Sequence, residues 1–133
     1  METSLATLLY DRHPHLYSGD RHAGEAFAQM GFEVGDGWFD LLDTLSADLM
    51  RAVQRIGMVC PHAVQVKSKM GMLRYKLSDF NAPLDALIAK AEKASMTTCE
   101  QCGLAGHVYI KKRWIYVACD KHSDGGALIS QLR

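Results

Sequence analysis

The sequence predicts an α+β fold in which N-terminal helices and a β-hairpin pack on two amphipathic helices, with a zinc ribbon at the C-terminal end. Three observations predict it. Apolar residues recur at helical spacing in two long segments, two alternating segments flank Gly71, and paired metal-type ligands follow residue 96. We expect residues 1–96 to form the helical and hairpin body and 97–124 the ribbon, as one compact unit, with 125–133 as a C-terminal tail.

Composition limits the function classes. The chain has 133 residues, 48% of them hydrophobic, which suffices for one packed domain. Lys and Arg total 15 and Asp and Glu total 15, so a nucleic-acid site would need a local basic patch. No apolar run approaches the roughly 18 residues of a membrane span, and no basic segment opens the chain as in a signal peptide. We therefore expect a cytoplasmic protein with no membrane contact.

The helices are predicted from their periodicity and their end signals. Residues 2–10 and 21–30 are expected to form short helices, the second with Ala23, Phe27 and Met30 on its inner face. Asp36 is a candidate N-cap for the strongest helix, which Gly57 ends. Its inner face holds Trp38, Leu41, Leu42, Leu45, Leu49, Ala52, Val53 and Ile56. Asn81 is expected to cap a second amphipathic helix that fades at 95–98 and is lined by Leu84, Leu87, Ile88 and Ala91.

A β-hairpin is predicted between these two helices. Residues 64–69 and 73–77 both alternate apolar and polar residues, and Met70 and Gly71 lie between them. This turn places Lys67 opposite Arg74 and Gln65 opposite Lys76. The buried face is then expected to hold Val64, Val66, Leu73, Tyr75 and Leu77.

Paired ligands near the C-terminus predict one zinc ion. Cys99 and Cys102 are two residues apart, as are Cys119 and His122, and such spacing lets a tight turn present both side chains to one metal. Two β-rich segments between the pairs flank a tip at 111–113. Three thiolates with one imidazole favour zinc over iron. His107 is an alternative fourth ligand, but the two-residue spacing favours His122.

Four protein ligands fill a tetrahedral shell, so the zinc is predicted to be structural rather than catalytic. The sequence contains neither a His-x-Glu nor an HExxH motif, and it has no nucleophile elbow, P-loop or dinucleotide fingerprint. We therefore predict no enzyme and no small-molecule substrate.

Two other groups of residues allow a functional reading. His13, His15 and His22 lie around Pro14 and could form a second metal cluster, but solvated loop histidines are favoured because no helical spacing aligns them. Cys60 could be a reactive thiol, but a buried cysteine is favoured because no basic residue in the sequence is placed to activate it.

Basic residues on the two hairpins are candidate contacts for a partner. Cations interleaved with aromatic rings can hold phosphates and stack bases, but they can equally form the solvated face of a sheet. Because the net charge is zero, we favour a solvated or protein-facing role over nucleic-acid binding. The candidates are Lys67, Lys69, Arg74, Lys76, Lys111, Lys112, Arg113 and Trp114.

Several motifs together resemble a family of small bacterial and phage proteins. They are Gly35-Asp-Gly-Trp38 with its flanking residues, the 65–75 hairpin with Gly71, and the two ligand pairs, with 13–17 also similar. The resemblance covers nearly the whole chain and implies a zinc-ribbon end, a bacterial or phage cytoplasm and no enzyme residues. Val34, where relatives often have a cysteine, and Met70, where an aromatic is common, depart from the family pattern.

The predicted function is binding to a macromolecular partner. By analogy with small neutral phage proteins, we expect an accessory protein that blocks or adapts a host protein or ribonucleoprotein complex, for example as an inhibitor of a CRISPR defence effector. The alternative is a nucleic-acid-binding regulator that uses the basic hairpin and the ribbon tip.

Overall fold

The computed structural model describes residues 1–17 and 26–131, and it contains helices and two small sheets, as the predicted α+β class requires. Residues 18–25, which include Ala23 and His22 of the sequence predictions, lie outside the described part. The helices are α1 (Thr3–Arg12), α2 (Ala26–Met30), α3 (Phe39–Ile56) and α4 (Ala82–Ser95). The strands are β1 (Phe32–Glu33), β2 (Ala63–Lys69), β3 (Met72–Leu77), β4 (His107–Lys111), β5 (Trp114–Ala118) and β6 (Ala127–Leu128).

The first sheet contains the predicted hairpin in the predicted register. Its strand order is β1-β2-β3, with β1 parallel to β2 and β3 antiparallel to it. Lys67 pairs with Arg74 and Gln65 pairs with Lys76. Met70 and Gly71 form the turn with φ of 55° and 76°, the left-handed pair that a tight two-residue hairpin turn requires.

One expectation for this hairpin is wrong. The pairing shifts between Ala63 and Gln65, and such an irregularity changes which side of the strand each residue faces. Ala63 is therefore buried, while Val64, predicted on the buried face, is only half-buried. Val66, Leu73, Tyr75 and Leu77 are buried as predicted.

The helix α3 begins two residues later than an N-cap at Asp36 predicts. A 3-10 turn at Asp36–Trp38 precedes it, and Asp36 does not cap α3. The Asp36 Oδ1 atom instead accepts a hydrogen bond from the backbone N–H of Glu2 (2.7 Å). Gly57 ends α3 in the left-handed conformation at φ 76°.

Two other residues predicted to face inward are exposed. Ile56, in the last turn of α3, has an exposed fraction of 42%, and Met30, at the end of α2, has 61%. Both lie at the ends of their helices, where the periodic pattern continues past the packed surface.

The helix α4 covers the edge of the first sheet. Asn81 caps it as predicted, because its Oδ1 accepts the Leu84 N–H (3.2 Å). On the facing side, Ser95 Oγ accepts the Leu73 N–H (2.9 Å) and Glu92 Oε2 accepts the Tyr75 N–H (3.1 Å). These bonds satisfy outward-facing groups of the β3 edge strand.

Two clusters of buried residues hold the chain together. The larger cluster contains residues of α1, α3, α4 and the first sheet, and it also contains Val117 of β5. The smaller contains Cys99, Tyr109, Ala118 and Cys119. The second sheet has the order β5-β4-β6, so the segment predicted as a C-terminal tail contributes a strand. Within residues 1–17 and 26–131, no helix has the length and hydrophobicity needed to span a membrane.

Candidate metal centre and basic surfaces

Cys99, Cys102, Cys119 and His122 lie close enough together to hold one metal ion. Their ligand atoms all lie within 4.8 Å of one another. The Cys102 and Cys119 sulfurs are 3.7 Å apart, and His122 Nδ1 lies 3.5 Å from Cys99 Sγ and 3.2 Å from Cys119 Sγ. A tetrahedral zinc would hold two sulfurs roughly 3.8 Å apart and a sulfur and a nitrogen roughly 3.5 Å apart. The three distances given are close to these values, and the four donors could together hold one metal ion.

Local backbone structure presents each ligand pair. At the first pair, the Gly103 N–H donates to the Cys99 carbonyl (2.9 Å), and Gly103 has a φ of 82° that favours glycine. At the second pair, the His122 N–H donates to the Cys119 carbonyl (3.1 Å) in a 3-10 turn. The β4–β5 hairpin connects the two turns.

The surroundings of Cys99 favour its thiolate, the form that binds metals. Burial by itself raises the pKa of Cys99. Hydrogen bonds from the backbone N–H groups of Cys119, Cys102 and Gln101 outweigh this effect, and the pKa falls to about 6. Amide groups directed at a sulfur are what a metal-bound thiolate requires.

The alternative ligands lie elsewhere. His107 is exposed on β4, opposite Ala118, and is not part of the cluster. His13 is not a solvated loop histidine, because it is buried and its Nε2 lies 2.8 Å from Asp43 Oδ1. Among the described residues the Cys/His cluster is the one group arranged for a metal. Burial raises the pKa of the Cys60 thiol, which is the opposite of activation.

The sequence reasoning missed the segment that supports this cluster. A Cβ atom on Gly37 would lie 2.2 Å from the Cys99 carbonyl oxygen and 2.6 Å from the amide nitrogens of Cys102 and Gly103. A Cβ atom on Gly35 would lie 2.3 Å from the Glu100 carbonyl oxygen. Both glycines are therefore required by the close approach of two backbones. The Gly-x-Gly spacing before Trp38 was the available signal.

Hydrogen bonds reinforce this approach. The Gly37 N–H donates to the Glu100 carbonyl (2.8 Å), and Trp38 Nε1 donates to the Thr98 carbonyl (2.8 Å). The Glu100 side chain accepts from the Gly35 N–H (3.0 Å) and from Ser68 Oγ (2.9 Å). Glu100 thus links the first ligand turn to both the Gly35–Trp38 segment and β2.

Four of the predicted contact residues share the outer face of the first sheet. Lys67, Lys69, Arg74 and Lys76 alternate with the buried residues of β2 and β3. Within the described part of the chain, none of the four has an ion-pair partner, although Glu33 is the neighbour of Lys67 on β1. Lys67 lies directly opposite Arg74, a pairing of like charges that destabilises a sheet.

The other four predicted contact residues lie at the tip of the β4–β5 hairpin. Lys112 and Arg113 form the turn, with φ of 49° and 70°, and Lys111 and Trp114 are the strand residues that close it. Trp114 has an exposed fraction of 70%. Lys111 Nζ is bound to Asp124 Oδ2 (3.1 Å), while Lys112 and Arg113 have no ion-pair partner among the residues that are described.

The two groups lie on neighbouring hairpins that contact each other. The turn at Gly71 packs against the β4–β5 hairpin, since a Cβ there would lie 2.8 Å from Val108 Cγ1 and 3.0 Å from Ile115 Cγ2. The turn of the first hairpin therefore contacts strand residues of the β4–β5 hairpin, and not the Lys112–Arg113 turn that carries the ribbon-tip cations.

Comparison of the chain with protein-family models, with curated proteins and with solved structures gives no match.

Proposed function

We propose that this chain is a non-catalytic zinc protein that acts by binding a macromolecular partner. The observation that carries the proposal is the set of four closely spaced protein ligands, which leaves a tetrahedral metal no open position. A closed site of this kind contributes folding energy, on the order of 10–16 kcal/mol for small zinc modules. The metal would then fix the ribbon hairpin and the surfaces it presents.

Metal analysis tests the first half of this proposal. Purified protein should contain one equivalent of zinc by mass spectrometry, and Cys119→Ser should lose it and melt at a lower temperature. Cys60→Ser is the matched control, because Cys60 lies outside the cluster, and it should keep the metal. A Cys119→Ser protein with full zinc content and an unchanged melting temperature would refute the structural role.

The partner we favour is a host protein complex. The resemblance to small bacterial and phage proteins supports an accessory protein that blocks or adapts such a complex, with a CRISPR effector as one example. The test is affinity capture from bacterial lysate, with and without nuclease, followed by native mass spectrometry. A stoichiometric protein that survives nuclease supports this partner class, and recovery of nucleic acid alone contradicts it.

A nucleic-acid partner is the second candidate, and the outer face of the first sheet favours it. Four cations without ion-pair partners among the described residues lie there, two of them directly opposed. Bound phosphates would relieve that repulsion and make affinity fall with salt.

Charge reversal tests the second candidate. Lys67→Glu with Arg74→Glu should weaken binding to a mixed-sequence oligonucleotide and reduce the slope of log affinity against log salt by about 2. Lys90→Glu with Lys93→Glu, on the exposed side of α4, carries the same charge change as a control. Equal affinity and equal salt slope in all three proteins would exclude the sheet face.

A further inference from the structure

The strand β5 is an edge strand with unpaired backbone groups. It pairs with β4 on one side, and no other described strand pairs with it. Trp114 closes the hairpin turn opposite Lys111, so Trp114, Tyr116 and Ala118 direct their backbone groups toward β4. Ile115 and Val117 then direct theirs outward.

A single hydrogen bond confirms which residues point outward. The Glu100 N–H donates to the Val117 carbonyl (3.1 Å) from the open side of β5. The N–H and C=O of Ile115 and the N–H of Val117 have no hydrogen-bond partner within the described residues. Glu100 thus ends the open edge at Val117 and leaves three backbone groups for another chain.

A groove of about 500 Å³ adjoins β5 and is lined by three of its residues, Trp114, Tyr116 and Val117. Gly35, Glu100 and Gln101 also line it, as do Lys111, Lys112 and Asp124 and the proposed metal ligand His122. Trp, Tyr and Arg are the residue types most enriched in binding hot spots, and Arg113 adjoins Trp114 at the tip.

The charges at the groove favour a peptide over a nucleic-acid strand as the ligand. Lys111 and Asp124 neutralise each other, and the Glu100 carboxylate already accepts two hydrogen bonds. The cations that remain are Lys112 and Arg113, both exposed. A nucleic-acid strand in the groove would run past the carboxylates of Glu100 and Asp124 and would leave the Ile115 N–H and C=O unused. An extended peptide can use those groups.

We propose that the open edge of β5 and its groove bind an extended peptide segment of a partner protein by strand addition. Because added strands alternate, side chains two residues apart share the groove side. An apolar side chain would pack on Trp114 and Tyr116, and a carboxylate two residues away would lie at Lys112 and Arg113. This inference rests on the proposed function, because it names the surface through which a protein partner is held.

The test selects randomised seven-residue peptides displayed on phage against the zinc-loaded protein. We expect enrichment of peptides with a carboxylate two residues from an apolar side chain. Trp114→Ala should weaken their binding at least 10-fold, and Lys90→Glu should leave it unchanged. Adding the enriched peptide to ¹⁵N-labelled protein should shift the amide signals of Ile115 and Val117 and slow their exchange with solvent.

Peptide backbone chemistry supplies the sharpest control. N-methylation of alternate peptide nitrogens, made in both registers, should abolish binding in the register that faces β5 and spare the other. Equal binding of both methylated peptides, unperturbed Ile115 and Val117 amides, or no enrichment over the Trp114→Ala protein would each overturn the proposal. If the captured partner still binds Trp114→Ala at full strength, the edge is excluded while the proposed function stands.

Discussion

Replacing Gly37 with alanine should damage the metal centre without touching any ligand. The added Cβ would lie 2.2 Å from the Cys99 carbonyl oxygen, and an ordinary contact needs at least about 3.4 Å, so the two segments must separate by roughly 1 Å. All three nearest atoms belong to the backbone of the ligand turn and cannot rotate away. Overpacking of this kind costs about 1–3 kcal/mol.

Separation also breaks hydrogen bonds. The Gly37 N–H bond to Glu100 and the Trp38 Nε1 bond to Thr98 both cross this contact, and each contributes about 1 kcal/mol. We therefore expect Gly37→Ala to lower the free energy of unfolding by about 3–5 kcal/mol, as measured by urea denaturation of the zinc-loaded protein. Competition with a chromophoric chelator should show weaker zinc binding as well, because the displaced turn carries Cys99 and Cys102.

Gly57→Ala is the control for this experiment. Gly57 adopts φ of 76°, but a Cβ there meets no atom within 4 Å. Its replacement should cost only the left-handed strain of about 1–2 kcal/mol and leave zinc affinity unchanged. If Gly37→Ala binds zinc as tightly as the original protein and unfolds at the same urea concentration, the two backbones do not meet as described.

Two further predictions concern the body. Burial raises the pKa of Tyr17 to about 12 and that of Tyr75 well above 10, so the folded state keeps protons that the unfolded state loses. The free energy of unfolding should therefore be constant below pH 10 and should fall above it by up to about 1.4 kcal/mol per pH unit for each tyrosine. Urea denaturation at pH 9 and at pH 11 tests this expectation. Equal stability at the two pH values would contradict it. Asn81→Ala should cost about 1 kcal/mol in the same assay through loss of the bond to the Leu84 N–H, whereas Asn81→Asp should keep it.

Local signals were sufficient for the elements whose residues interact with near neighbours in sequence. The register of β2 and β3 followed from alternation and from a two-residue turn, and the cap at Asn81 followed from its own side chain. The four metal-type ligands were found because a shared ion imposes short, fixed spacings within each pair. Each of these features depends on interactions between residues that are close together in the sequence.

Features that depend on distant contacts were predicted wrongly or missed. Asp36 looked like a helix cap because its neighbours form a helix, but its carboxylate binds the Glu2 N–H, 34 residues away. Gly35 and Gly37 carried no local turn signal, since their role is to admit the backbone of residues 99–103. His13 was read as a loop histidine because its partner, Asp43, lies on another element.

The missed contacts indicate that the segment around the ligand cluster depends on the body as well as on the proposed metal. Its own buried cluster contains only Cys99, Tyr109, Ala118 and Cys119, too little apolar surface to hold a hairpin by itself. Two of these four are the proposed metal ligands, and Val117 reaches the core of the body instead. The proposed metal would therefore stabilise the same turn as packing against the Gly35–Trp38 segment, and each would strengthen the other. The open edge of β5 adjoins this turn, because the Glu100 N–H donates to the Val117 carbonyl.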